Sequence, residues 1–127
     1  MEEKYLVDTN ILIYYLDDKI PENAINIIKE IFKNSLIISI ITKCELLSWK
    51  GYDNEGFKAV KDFISCANII DLDNSIADLA IDIMRKNNIE LPDAVIAASA
   101  IHNNAILLTR NEKDFKKVPE LKIYNPF

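Results

Sequence analysis

Tyr5-Leu6-Val7-Asp8-Thr9-Asn10-Ile11-Leu12 is a short apolar run that breaks off on an acid and turns at once into a second apolar stretch. Three consecutive apolar residues read as a strand buried on both faces. The residues from Asn10 to about Leu16 have the length and composition of a helix, with Thr9 placed to cap it. A strand that hands over directly to a helix is the first half of a βα unit.

The same alternation runs to the end of the chain. Ala24, Ile27, Ile28 and Ile31 give Glu22 to Lys33 a helical spacing. Leu36-Ile37-Ile38 predicts a second strand, followed by a helix from Ile40 to Trp49 that stops near Gly51. Phe57, Val60, Phe63 and Ile64 predict a helix from Glu55 to Cys66, and Ile69-Ile70 a third strand. Ser75-Ile76-Ala77-Asp78 has the form of a capping box and opens a helix to about Lys86. Leu91-Pro92-Asp93 opens another, with Pro92 suited to its first turn. That helix, Ala94 to about His102, is apolar nearly all round and is expected to be deeply buried. Ala105 to Leu108 predicts a fourth strand. A short helix from Glu112 to Lys116 and a strand at Lys122 to Tyr124 close the chain. The fold class is α/β, one domain over residues 1–127, with a mostly parallel sheet of about five strands and helices on both faces.

The chain has 127 residues, half of them hydrophobic, and a net charge of -5. That length buries a core without disulfide staples, and that hydrophobic content excludes a disordered chain. A negative charge opposes generic nucleic-acid binding, because phosphate neutralisation dominates such affinity. The objection weakens where acids cluster to hold cations. Two cysteines, Cys44 and Cys66, make no disulfide framework and suit a reducing, cytoplasmic setting. No signal peptide and no membrane-spanning run is expected. Both glycines, Gly51 and Gly56, fall in one polar segment, so there is no Gly-rich phosphate loop.

Open parallel sheets collect ligands outside the carboxyl ends of their strands. Asp8 ends the first strand, and Thr109, Asn111 and Asp114 follow the fourth. Glu45 sits in a mostly apolar helix after the second, and Asp93 stands at the mouth of the apolar helix. Carboxylates in such surroundings are costly unless paired, hydrogen-bonded or metal-bound. Converging carboxylates without a basic partner suit a hard cation such as Mg²⁺ or Mn²⁺. Taken singly, each has a plainer reading. Asp8 and Asp93 also suit helix starts, and Glu45 also suits an exposed helix face.

Val7-Asp8-Thr9-Asn10, Thr42-x-x-Glu45, Leu91-Pro92-Asp93-Ala94-x-Ile96-Ala97-Ala98 and Leu108-Thr109-Arg110-Asn111-x-x-Asp114-Phe115 together resemble the PIN-domain nucleases, as does the closing Ile123-Tyr124-Asn125-Pro126-Phe127. In size the chain is similar to the VapC toxins of toxin–antitoxin pairs. The resemblance implies a Mg²⁺- or Mn²⁺-dependent ribonuclease, a homodimer and an inhibiting antitoxin partner. It implies Asp8, Glu45 and Asp93 as acidic metal-site residues. Many members carry Thr-x-Asp where this chain has Thr109-Arg110-Asn111. Others carry Asn and then an acid three residues later, which makes Asp114 the fourth acid and Asn111 a polar helper. Thr9, Asn10 and Thr109 are supporting polar groups, and Lys43, Arg110 and Lys113 are candidate RNA contacts.

Other readings stay open at this level. An aspartyl-nucleophile phosphohydrolase also places Asp then Thr after a first strand, but needs a second Asp where this chain has Asn10. A PIN-like protein-binding module with lost catalysis, or a PIN nuclease in RNA processing without a toxin role, would share most of these motifs. Lys116 and Lys117 read equally as an RNA rim or a solvated face. Cys44 is expected to be a buried small residue, and His102 a helix-end residue. Trp49 is expected to pack in the core or a dimer contact rather than stack on bases. Ile11, Leu12, Tyr14 and Tyr15 are expected to make the first helix apolar enough for a subunit interface.

Overall fold

In a computed structural model, which describes residues 3–127, five strands form one parallel sheet in the order β3-β2-β1-β4-β5. The strands are β1 (Tyr5–Val7), β2 (Ile37–Ser39), β3 (Asn68–Ile70), β4 (Ile106–Leu108) and β5 (Ile123–Tyr124). Helices α1 (Thr9–Leu16) and α2 (Glu22–Asn34) follow β1, and α3 (Ile40–Leu47) and α4 (Asn54–Ser65) follow β2. Helices α5 (Asn74–Lys86) and α6 (Leu91–His102) follow β3, and α7 (Glu112–Phe115) follows β4.

Side chains alternate across each strand, so neighbouring residues feed opposite faces. Leu6, Ile37 and Leu107 join one core cluster with α5, α6 and Phe115 of α7. Val7, Ile38 and Leu108 join the other with α1, α2 and α4. A sheet covered on both faces needs continuous apolar strands, which is why these short runs read as buried strands. Every residue of α6 from Ala94 to Ala100 is buried, as its all-round apolarity requires.

The chain builds outward from β1 to β2 and β3, then returns to place β4 on the other side of β1. The order reverses there, and the carboxyl ends of β1, β2 and β4 converge. The backbone N–H of Asp8 donates to the Leu108 carbonyl at 2.9 Å, and that of Thr109 to the Tyr124 carbonyl at 3.0 Å. The residues that leave the sheet are therefore held by it.

Several local expectations are corrected. Asp8, not Thr9, caps α1, with its carboxylate accepting from the Thr9 N–H. Thr9 is the first helical residue, and its hydroxyl serves elsewhere. Asp73, not the Ser75 capping box, caps α5 by accepting from the Ile76 N–H at 2.9 Å. The second strand shifts by one residue to end on buried Ser39, which caps α3. Helix α3 ends at Leu47, before Trp49. Gly51 does not stop it; a Cβ there would collide with the Trp49 ring, so glycine makes room for that side chain. Trp49 itself is 62% exposed and edge-on to Tyr52, outside both core clusters. Ile11 and Leu12 are fully buried in the chain's own core, and Tyr15 packs against Phe32 and Phe63. Ile11 and Leu12 are thus core residues of the chain itself, while Tyr15 stays partly exposed. Cys44 and Cys66 are both exposed free thiols.

Candidate active site

Asp8 leaves the sheet at the end of β1 and is 4% exposed. Both of its carboxylate oxygens are taken. Oδ1 accepts from the Thr9 N–H at 2.8 Å, and Oδ2 accepts from the Thr109 hydroxyl at 2.8 Å. Thr109 is fully buried at the end of β4, and its oxygen also accepts from the Asn111 N–H at 2.9 Å. The carboxyl of Asp8 is pushed up from 3.8 to about 6, first by burial. The two hydrogen bonds oppose that shift, and the nearby Asp93 and Glu45 carboxylates add to it. An acid held this way is ionised at neutral pH at a cost that a cation would remove.

Glu45 reaches the site from α3. Its Oε1 accepts from the Thr9 hydroxyl at 2.7 Å, and the Thr9 and Thr42 hydroxyl oxygens are 2.9 Å apart. Thr9 has one proton, which goes to Glu45, so Thr42 must be the donor to Thr9. A directed chain from Thr42 through Thr9 thus aims an otherwise exposed glutamate. Thr42 is fully buried; the Thr42-x-x-Glu45 motif names it in the sequence without giving it a role. Its signal was its position three residues before Glu45, on the same face of α3.

Asp93 comes from the first turn of α6 and is half-buried. Its carboxyl is raised first by burial, then by Asp114, Glu45 and Glu90. Glu90 is a pocket residue that the sequence reading missed. It occupies the cap position of α6 without making a capping bond. It lies three residues before Asp93, and its carboxylate remains available.

Asp8, Glu45, Glu90 and Asp93, with Asn10 and Asn111, line one open pocket of about 330 Å³. No lysine, arginine or histidine lines it. Asp114 lies outside that lining. Asn111 Nδ2 donates to it at 3.1 Å and Lys117 Nζ stands 3.4 Å from it, and these partners hold its carboxyl below the ordinary range. Asn111 therefore faces the pocket and ties Asp114 to the Thr109–Asp8 link. Lys43 and Lys113 are exposed and lie off the pocket lining, and the Arg110 guanidinium lies over the Tyr14 and Phe127 rings. Lys116 pairs with Glu112, and Lys117 also donates to the Asn88 carbonyl. His102 is the last residue of α6 and exposed.

The donor set fits a hard cation, since every available group is an oxygen and the carboxylates repel one another without one. Among the described residues no three acidic, histidine or cysteine side chains close on a single point.

Residues 5–121 of the chain match the PIN domain family model. The chain belongs to the PIN-domain family. Within it the chain is of the VapC type, being 32% identical to Ribonuclease VapC2 of Rickettsia felis over 95% of this chain and 96% of that protein. It is also similar to the solved VapBC2 of Rickettsia felis bound to a DNA fragment from their promoter. That likeness has a TM-score of 0.81 at 28% identity, covering 95% of this chain and 97% of that one. A toxin–antitoxin complex from Klebsiella pneumoniae matches with a TM-score of 0.78 at 28% identity, covering 98% of each chain.

Proposed function

We propose that this protein is a divalent-cation-dependent ribonuclease and the toxin of a toxin–antitoxin pair. The observation that carries this reading is the pocket in which Asp8, Glu45, Glu90 and Asp93 meet with no basic residue in its lining. The VapC2 relative, a ribonuclease by name, supports the substrate class.

Asp8, Glu45 and Asp93 would hold Mg²⁺ or Mn²⁺, with Asn111 at the edge and Asp114, which bonds Asn111 and acts on Asp93, as the fourth acid. A bound cation would supply hydroxide near neutral pH and stabilise charge on the phosphate oxygens. The protein's own share is positioning. Thr109 and the Thr9 N–H fix the Asp8 carboxylate in one orientation. The Thr42–Thr9 chain fixes Glu45. Asn10 and Asn111 offer amide groups to a phosphate or to water. A carboxylate not engaged by the cation, such as Glu90, can accept a proton from attacking water.

An apolar groove of about 570 Å³ adjoins the pocket and shares Ile13 and Glu45 with it. Leu16, Leu46 and Trp49 line it, with Asp17 at its border. This supports a protein partner of antitoxin type that covers the site. Exposed Ile81 and Leu91 support a homodimer, which light scattering of the purified protein tests. Among the described residues no helix is long and apolar enough to cross a membrane. The exposed free thiols suit the reducing cytoplasm.

Purified protein incubated with mixed cellular RNA and Mg²⁺ or Mn²⁺ is expected to cut it. Cutting is expected to stop in EDTA and in Asp8→Asn. Cutting that survives both would remove the metal reading. No cutting by a folded wild type that binds no metal would leave a protein-binding module.

A further inference from the structure

Arg110 stands between Thr109 and Asn111, the two residues that join Asp8 to Asp114. Its guanidinium lies 5.4 Å from the centre of the Tyr14 ring and 4.9 Å from that of Phe127. The two rings contact each other at 5.6 Å with a 55° tilt. The chain carries 20 acids, yet among the described residues none stands within ion-pairing distance of Arg110. Lys116 and Lys117 are paired to Glu112 and Asp114, and Lys113 acts on Asp114 from the exposed face of α7.

Stacking on aromatic rings engages the faces of a guanidinium and leaves its in-plane N–H edge for an oxyanion. It also restrains a long side chain before any ligand arrives, which lowers the entropy lost on binding. The location is equally specific. Tyr14 is one helical turn, about 6 Å, beyond Asn10 on α1, and Asn10 lines the acidic pocket. The pocket repels a bare polyanion. A substrate phosphate held there by cations would have its neighbour outside the acidic lining, where a protein cation can replace its solution counterion.

We infer that Arg110 is the contact for the RNA phosphate next to the one that is cut, and that Tyr14 and Phe127 hold it in readiness. This rests on the ribonuclease reading and adds a substrate-positioning residue to it. A purely structural Arg110 would instead tie α1 to the residues after β5.

The test uses a labelled random-sequence 20-mer oligoribonucleotide, Mn²⁺, and wild type beside Arg110→Ala, Arg110→Lys and Tyr14→Leu. Arg110→Ala is expected to raise KM about tenfold, as loss of a charge-assisted hydrogen bond does, with kcat within about twofold. The slope of log(kcat/KM) against log[salt] is expected to become shallower by about 0.7, the share of one single-strand phosphate contact. Arg110→Lys should restore the slope and not the KM, since lysine keeps charge and loses the planar fork. Tyr14→Leu should raise KM with the slope unchanged. An unchanged KM and slope in Arg110→Ala overturns the inference. So does a fall in kcat that tracks a lowered Tm at constant slope. Anisotropy of the same RNA with Ca²⁺ in place of Mn²⁺ keeps the carboxylates neutralised by a hard oxygen-seeking cation and reads the slope from binding alone, so a wild type that binds and does not cut in Mn²⁺ fails the ribonuclease reading alone. A wild type that neither binds nor cuts overturns both.

Discussion

Asp8 shows most directly what the fold does to one side chain. Its carboxyl titrates at about 6 in the folded protein against 3.8 ordinarily. Between about pH 4 and pH 6 the folded state therefore holds more protons than the unfolded state, and stability falls as pH rises. The favourable contribution is complete below about pH 4 and gone above about pH 6. Two pKa units correspond to about 3 kcal/mol. Asp8→Asn is expected to be more stable than wild type above pH 6 in EDTA, by up to that amount, with the advantage shrinking toward pH 4. Urea melts across this range check it, and parallel pH profiles would show that burial does not strain the carboxylate. Thr9 makes a second case. Thr9→Val leaves the buried Thr42 hydroxyl without its acceptor, which costs about 1–3 kcal/mol, and frees Glu45 to wander. RNA cleavage is expected to fall about tenfold, and Thr9→Ser to recover most of it; equal loss in both would show that Thr9 acts only through packing.

Among elements, α5 and α3 show where local patterns mislead. Two capping signals overlap before α5, Asp73 and the Ser75–Asp78 pair, and the structure uses the first. Asp73→Ala is expected to cost about 1 kcal/mol, with Ser75→Ala within about 0.5. Thermal melts of the two single variants decide it, and the reverse ranking would put the cap at Ser75. The apolar pattern of α3 ran on through Leu47 to Trp49, so the end of the helix was not legible. Trp49 instead folds against Gly51 and Tyr52, an arrangement set by side-chain shape and not by periodicity. By contrast α6 was legible throughout, because a helix apolar on every side has only one place to go.

For the molecule as a whole, the sheet gathers groups that are far apart in the chain. Thr109 and Asp8 are 101 positions apart in sequence and share a hydrogen bond, made possible by β4 pairing with β1. Leu107 lies in that pairing and is fully buried. Leu107→Ala is expected to destabilise the protein by about 2–5 kcal/mol through the cavity it leaves, read as a lower urea midpoint. A cation bound between the carboxylates stabilises only the folded state. Millimolar Mg²⁺ or Mn²⁺ is therefore expected to raise the wild-type Tm, and to raise that of Asp93→Asn much less. Equal shifts in both would place the cation elsewhere.

The sequence alone determined the alternation of strands and helices, the parallel sheet and the placing of Asp8 and Asp93 at the starts of helices. Those follow from patterns of a few neighbouring residues, and such patterns survive in one dimension. It also carried the family motifs from which Glu45 and Asn111 were picked out. The tertiary structure alone decided that Thr42 and Thr9 aim Glu45, that Glu90 joins the pocket, and that Asn111 bonds Asp114 while Asp114 acts on Asp93. It also decided which of Asp8's neighbours raise its pKa, and that Arg110 meets Tyr14 and Phe127. Each of these depends on a distance between segments brought together by strand order, and burial and charge act through distance rather than through sequence spacing.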